Sequence, residues 1–334
     1  MTDDHAVHDV ATQTGPGEDE VGTPTTREAA VAADTTHDAG QGRSLTSDAF
    51  RSLRRNPLFW ISSTLILVFI VMAVWPSILA THTATWNDLT IARETPSAEH
   101  WFGTDTQGYD IYSRTIYGAR ASILVGVLAT LGVLVVGSFF GLVAGYVGGI
   151  VDALISRVGD IFFAIPLLLA GIVFLSAVRE RDTILGLRTN TYFGVIIQVV
   201  LVFVIFGWPS LMRLMRSSVI QVKPNDYVQA ARALGASPMR IIRRHVLPNA
   251  MAPAIVVSTI NLGAYIAAEA TLSFLGIGLV PPTVSWGVMI SDALVPLRSY
   301  PHILFFPALF LSLAVLAFIM LGDAVRDAFD PKSR

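Results

Sequence analysis

Six times along this 334-residue chain, a stretch of about 20 residues runs almost without charge. The length is telling, because about 20 helical residues rising 1.5 Å each cross the roughly 30 Å of a bilayer's hydrocarbon. The stretches lie at 58–80, 121–147, 161–178, 192–212, 252–275 and 303–321. In lipid the backbone must satisfy its own hydrogen bonds, so the pattern predicts an all-α polytopic membrane protein with six transmembrane helices. A further uncharged stretch, 270–291, is broken by Pro281 and Pro282 after about eleven residues, too few to cross again. It predicts a helix exit followed by an extended or partly re-entrant segment.

Composition agrees, with 53% apolar residues and 14% charged, where soluble domains carry about 25% charge. The absence of cysteine excludes disulfides, thiol nucleophiles and thiolate metal sites. The net charge of −2 conceals two unlike parts. The first 50 residues hold ten acids and two arginines, while the remaining 284 hold 15 acids and 21 bases. Residues 1–48 are rich in Thr, Ala, Asp and Gly and are read as a disordered acidic cytoplasmic tail without a signal peptide. Residues 49–334 form the six-helix domain. With the N-terminus inside, the cytoplasmic segments hold 16 Lys and Arg against 7 outside, so the positive-inside rule puts both termini in the cytoplasm. Arg179, Arg181 and Arg188 are the main external exception.

The segment 217–249 holds five of those 16 cytoplasmic Lys and Arg. It reads as two short helices. Asp226 caps the first, whose body from Tyr227 ends at Gly235, a natural left-handed stop. Ser237 and Pro238 open the second as N-cap and first helical residue. Met239 continues it through Arg240, Arg243 and Arg244 to Leu247, where Pro248 is expected to end it. A helix-turn-helix at a membrane surface is a docking shape, and Ala230, Ala231, Gly235 and Ala236 give it a small face that a partner can approach.

Gln229, Ala230, Ala231, Arg232, Ala233, Leu234 and Gly235, followed by Leu247, Pro248 and Asn249, resemble the EAA loop of ABC importer permeases. The family's motif begins with Glu. Gln229 keeps its length and hydrogen bonding without the charge, and His245 stands where an apolar residue is common. Three more stretches are similar to dipeptide and oligopeptide permeases: Phe102, Gly103, Thr104 and Asp105 with Gly108, Asp110, Ser113 and Arg114; Gly276 and Gly278 with Pro281, Pro282, Ser285, Trp286 and Gly287; and Leu321, Gly322 and Asp323 with Arg326 and Asp327. Met320 precedes the last where Asn is usual. The resemblance covers 50–332 and is nearest to the "C" permease subunit of peptide and nickel importers.

That resemblance implies a type I ABC importer permease in a bacterial plasma membrane. Its coupling loop would comprise Tyr227, Gln229, Ala230, Ala231, Arg232, Gly235, Ala236, Ser237 and Pro238. The implied partners are a second permease, two ATP-binding subunits that bind and hydrolyse the nucleotide, an extracellular or lipid-anchored solute-binding protein and the bilayer, with no nucleic acid. The chain itself is expected to be no enzyme and to hold no cofactor. The implied solute is a short peptide, with nickel or another small solute as the alternative. A stand-alone channel or intramembrane enzyme is the third reading, and the docking loop argues against it. No phosphate loop, His-Glu-x-x-His or intramembrane Gly-x-Ser-x-Gly occurs.

Glu269 is the one acid well inside a span. Either it faces the translocation cavity or pairs with the second permease, or it lies near enough to the outer surface to stay hydrated. Asp105, Asp110 and Arg114 read as a local turn and cap cluster, with contact to a solute-binding protein as the alternative. Trp286 is expected to anchor the outer interface. Gly137, Gly141 and Gly145 form a small-residue ladder that predicts close helix packing within the chain, a pore or subunit seam being the alternative. Three of the seven histidines lie in the tail and the others are scattered, so no metal site is expected.

Overall fold

The computed structural model describes residues 53–179, 181–184 and 186–329. The tail expected over 1–48 lies outside them. Helix α1 (Pro57–Val74) starts at Asn56, whose side chain accepts from the Leu58 amide at 2.9 Å, with Pro57 in the first turn. A four-residue helix α2 (Pro76–Leu79) follows. The long α3 (Ile111–Val147) begins ten residues earlier than hydropathy predicts. Asp110 caps it at the Ser113 amide, and Arg114 and Arg120 sit in its first turns. Arg120 donates to the carbonyls of Ala73 (2.7 Å) and Val74 (3.1 Å), satisfying the open end of α1.

The third apolar stretch is not one straight span. It is divided between α4 (Gly149–Ala164) and α5 (Leu167–Arg179), bent by 85°. Pro166 at the break has no amide to continue the helix. After a two-stranded turn (β1 Thr183–Ile184, β2 Leu187–Arg188), α6 (Tyr192–Val222) carries the fourth span well beyond residue 212. Then come α7 (Asp226–Ala233), α8 (Pro238–Ile241), α9 (Leu247–Phe274), α10 (Trp286–Asp292) and α11 (His302–Phe329). Among the described residues, five helices are long and apolar enough to cross a membrane by themselves, and the bent α4–α5 pair makes a sixth span.

Pro248 does not stop the helix as expected. From Pro238 to Phe274 the chain is helical throughout. The five residues Ile242–Val246 before Leu247 form a π turn, and Pro248 sits in the first turn of α9. A wider turn at this point accommodates a residue that lacks an amide donor, which a regular α-helix would not.

α3 packs along α6, and the glycine ladder is the reason they approach so closely. A Cβ on Gly137 would lie 2.8 Å from Leu211 Cβ, and one on Gly145 would lie 2.9 Å from the Arg216 carbonyl. The seam is therefore internal to the chain. α9 packs on α3 and α11, and α11 on α1. Trp286 is fully buried, and its indole Nε1 donates to the Thr115 carbonyl at 2.9 Å. It pins α10 to α3, so the expected interface anchor is a core residue instead. The reason is local: Gly287 lets α10 sit against α9, where a Cβ would meet Ala270 Cα at 2.7 Å.

Candidate functional site

The loop between α6 and α9 is built on three buried anchors. Val228, Ile241 and Val246 are buried and belong to the main apolar core. Lys223 closes its start by donating to the Tyr146 carbonyl at the end of α3, 2.7 Å away. The N-cap of α7 is Asn225 rather than Asp226, which occupies the first helical position instead. The Asn225 carbonyl accepts from Val228 (2.9 Å) and Gln229 (3.1 Å), and Asp226 places its charge where the helix dipole favours it.

The stop is a Schellman turn. Gly235 N donates to Arg232 O and Ala236 N to Ala231 O, both at 3.0 Å, with Gly235 at φ +79°. Ser237 and Pro238 open α8 as expected, although the Ser237 hydroxyl makes no capping bond. Around this fixed turn Tyr227, Gln229, Ala230, Arg232, Gly235, Ser237 and Pro238 are exposed, while Ala231 and Ala236 are half-buried against the core. The named residues thus share one outward-facing element.

Two residues outside the expected coupling set, Leu234 and Met239, are the most exposed large apolar side chains of this loop. Leu234 is 89% exposed and Met239 63%. Their signal in sequence is weak, since a lone leucine before a glycine also ends many helices that bury it. Beside them Arg240, Arg243 and Arg244 line a shallow groove with Ser237 and Met239. An apolar knob on a rigid turn, flanked by cations, fits a groove with an acidic rim on another protein.

The loop is braced from α4. Asp152 holds Arg216 through two bonds (2.5 and 2.6 Å), and Asp160 holds Arg213 at 2.9 Å. Arg213 also stacks on Phe163, 4.0 Å from the ring centre. These contacts tie the C-terminal half of α6 to the helix before the break.

Glu269 lies elsewhere, and it is wholly enclosed by its own chain. Its Oε1 accepts from Ser273 Oγ at 2.6 Å, and Ser273 Oγ in turn accepts from the Leu279 amide at 2.9 Å. Ser122 and Ser285 border the carboxyl, but Oε2 makes no hydrogen bond. The side chain therefore neither opens on a cavity of this chain nor meets hydrated surface. It joins α9 to the loop that follows. Arg179, from the basic cluster with Arg181 and Arg188, has a similar role. It donates to the carbonyls of Gly276, Ile277 and Gly278 at 3.1, 2.9 and 3.3 Å.

At the far end of α3 the turn cluster forms largely as read. Asp105 accepts from the amides of Gln107 and Tyr109 and pairs with Arg114 at 2.9 Å. The histidines are not all scattered, however: His82 and His100 converge with Asp110.

A family described as "Binding-protein-dependent transport system inner membrane component" matches residues 137–334, which include the whole α7–α8 turn. The chain belongs to that family. This binding-protein-dependent permease also matches, over residues 44–96, the family described as "N-terminal TM domain of oligopeptide transport permease C". It is 40% identical over 292 residues to the dipeptide transport system permease protein DppC of Bacillus subtilis strain 168, covering 87% of each chain. To the oligopeptide transport system permease protein OppC of the same organism it is 37% identical, covering 92% of this chain and 96% of the relative. The glutathione transport system permease protein GsiD of Escherichia coli O157:H7 is 36% identical, over 87% of this chain and 92% of its own length. Among solved structures, a chain of the inward-facing MetNI methionine ABC transporter aligns with a TM-score of 0.50 at 18% identity, over 64% of this chain and 96% of that one. That last likeness is one of fold. The protein is thus an all-α, multi-pass permease of the type I ABC importer class and works in a complex with other transporter components.

Proposed function

We propose that this permease forms half of the translocation pathway for short peptides in a bacterial plasma membrane, with both termini in the cytoplasm. A second permease supplies the other half. Two partner subunits bind and hydrolyse ATP, so the chain needs no cofactor or catalytic residue. An extracellular or lipid-anchored protein delivers the solute. Peptides are favoured over nickel because the relatives are named for dipeptide, oligopeptide and glutathione transport.

The observation that carries the mechanism is the rigid, exposed α7–α8 turn. Val228 roots it in the core that α3, α6 and α9 share, while Leu234 and Arg232 face outward. A partner that grips the turn moves its roots as well. ATP binding draws the two ATPase subunits together, and this turn carries the motion into α6 and α9. The two permeases then rock, and the cavity between them opens on one side of the membrane at a time. Binding energy for ATP reaches the solute path only through such a mechanical link.

Gentle purification of the tagged chain from its own membrane tests the assembly. Recovery with an ATPase, a second permease and a solute-binding protein that carries peptides is the expected outcome. Recovery of the folded chain alone, able to pass solute unaided, overturns the proposal.

A further inference from the structure

Outside the coupling element, one cluster has the chemistry of a metal site. His82, His100 and Asp110 each present a ligand atom, and these atoms all lie within 4.8 Å of one another. They come from three separate places: the segment after α2, the loop before α3, and the N-cap of α3. We propose that they bind one divalent ion of the zinc class, held as a resident clasp rather than as transported solute.

The donor set suits such an ion. Two imidazoles and a carboxylate are ligands of borderline softness, which favour zinc and its neighbours over magnesium or calcium. The spacing suits it too. Ligands about 2.0–2.1 Å from a tetrahedral zinc are about 3.3 Å apart, and His100 Nδ1 lies 3.1 Å from Asp110 Oδ1 in a hydrogen bond that an ion between them would replace. The His82 ligand atom lies within 4.8 Å of the other two, so it closes by at most about 1.5 Å to complete the triad.

The surroundings hold the ligands in place. His100 is 4% exposed and Asp110 2%. The second carboxylate oxygen of Asp110 is fixed by the Ser113 amide at 2.8 Å, the kind of supporting bond that orients ligating carboxylates. Trp86 stacks on the His82 ring with centroids 4.0 Å apart and planes 27° apart. The His82 backbone donates to Ser113 Oγ at 3.0 Å, and Thr81 Oγ1 lies 3.1 Å from the same hydroxyl. His82 is only half-buried, which leaves an entry side and a fourth position for water.

The clasp sits at the start of α3, a helix of 37 residues and so about 55 Å long, whose far end at Tyr146 meets Lys223 just before α7. An ion there would join the segment leaving α1 and α2 to the first turn of α3, the helix against which α6 and α9 pack.

The full-length chain, purified without a polyhistidine tag and stripped with a chelator, is titrated with Co²⁺ and then Zn²⁺. One equivalent of Co²⁺ is expected to give the visible absorption of a tetrahedral centre and to be displaced by Zn²⁺, with no competition from Mg²⁺. His82→Ala should weaken this binding by about 100-fold or more, because losing a ligand costs more than losing a supporting partner. Zinc-edge X-ray absorption on the wild-type chain needs no variant, and two imidazoles with oxygen ligands are expected. No stoichiometric site, equal binding by a folded His82→Ala chain, or a zinc shell made only of water would each overturn the proposal.

Discussion

Gly235 closes the turn proposed to couple to the ATPase. Its φ of +79° closes the turn, yet a Cβ there would meet no atom within 4 Å. Gly235→Ala is therefore strained only in its backbone, by about 1–2 kcal/mol. The chain should reach the membrane in normal amount, with a weakened turn and reduced transport, as uptake and quantitative immunoblotting of one culture would report. Leu234 makes the complementary case. Leu234→Asp disturbs no packing within the chain, and it should weaken association with the ATPase subunits by about 30-fold, as expected for a hot-spot residue. Co-purification yield at fixed expression is the readout. Glu269 should behave in the opposite way. Glu269→Gln keeps an acceptor for Ser273, so peptide uptake should stay within about twofold of wild type. Glu269→Ala strands a buried hydroxyl and opens a void, at about 1–3 kcal/mol in stability. A large loss of uptake in Glu269→Gln, with the complex still assembled, would restore a role in the pathway.

At the scale of elements, the glycine ladder sets how closely α3 and α6 approach. Gly141 faces the Met212 carbonyl at 2.5 Å and Met215 Cβ at 2.7 Å from where a side chain would start. Gly141→Val has no space, so it should destabilise the chain by about 1–3 kcal/mol and lower its melting temperature in detergent. Most elements were legible in the residue order. The apolar stretches marked the spans, Gly235 marked the stop of α7, and Ser237 with Pro238 marked the start of α8. The failures share a cause, since each depended on a distant partner or on a compensation that local rules do not include. Pro248 is a helix breaker unless a π turn precedes it. Trp286 looks like an interface anchor until the Thr115 carbonyl, 171 residues away, accepts its indole hydrogen. Hydropathy could not place the start of α3, because Arg114 and Arg120 are charged yet engaged with Asp105 and with the end of α1. His82 and His100 converge only because two loops fold back over the start of α3.

For the whole molecule, the loop is an exposed tip on a buried root, joined on one side to α6 and on the other, through an unbroken helix, to α9. Displacement of the tip must therefore move two spans whose other faces pack on α3. The brace from Asp152 and Asp160 brings the bent α4–α5 pair into the same motion. The most direct test compares wild type with the double variant Arg232→Glu and Gly235→Pro in proteoliposomes with all partner subunits. Proline cannot take φ +79° and removes the amide that closes the turn, while the glutamate reverses the charge beside it. The variant is expected to insert and fold, as limited proteolysis and melting would show, but no longer to couple ATP hydrolysis to peptide uptake. Uptake at the wild-type rate by the double variant would contradict it.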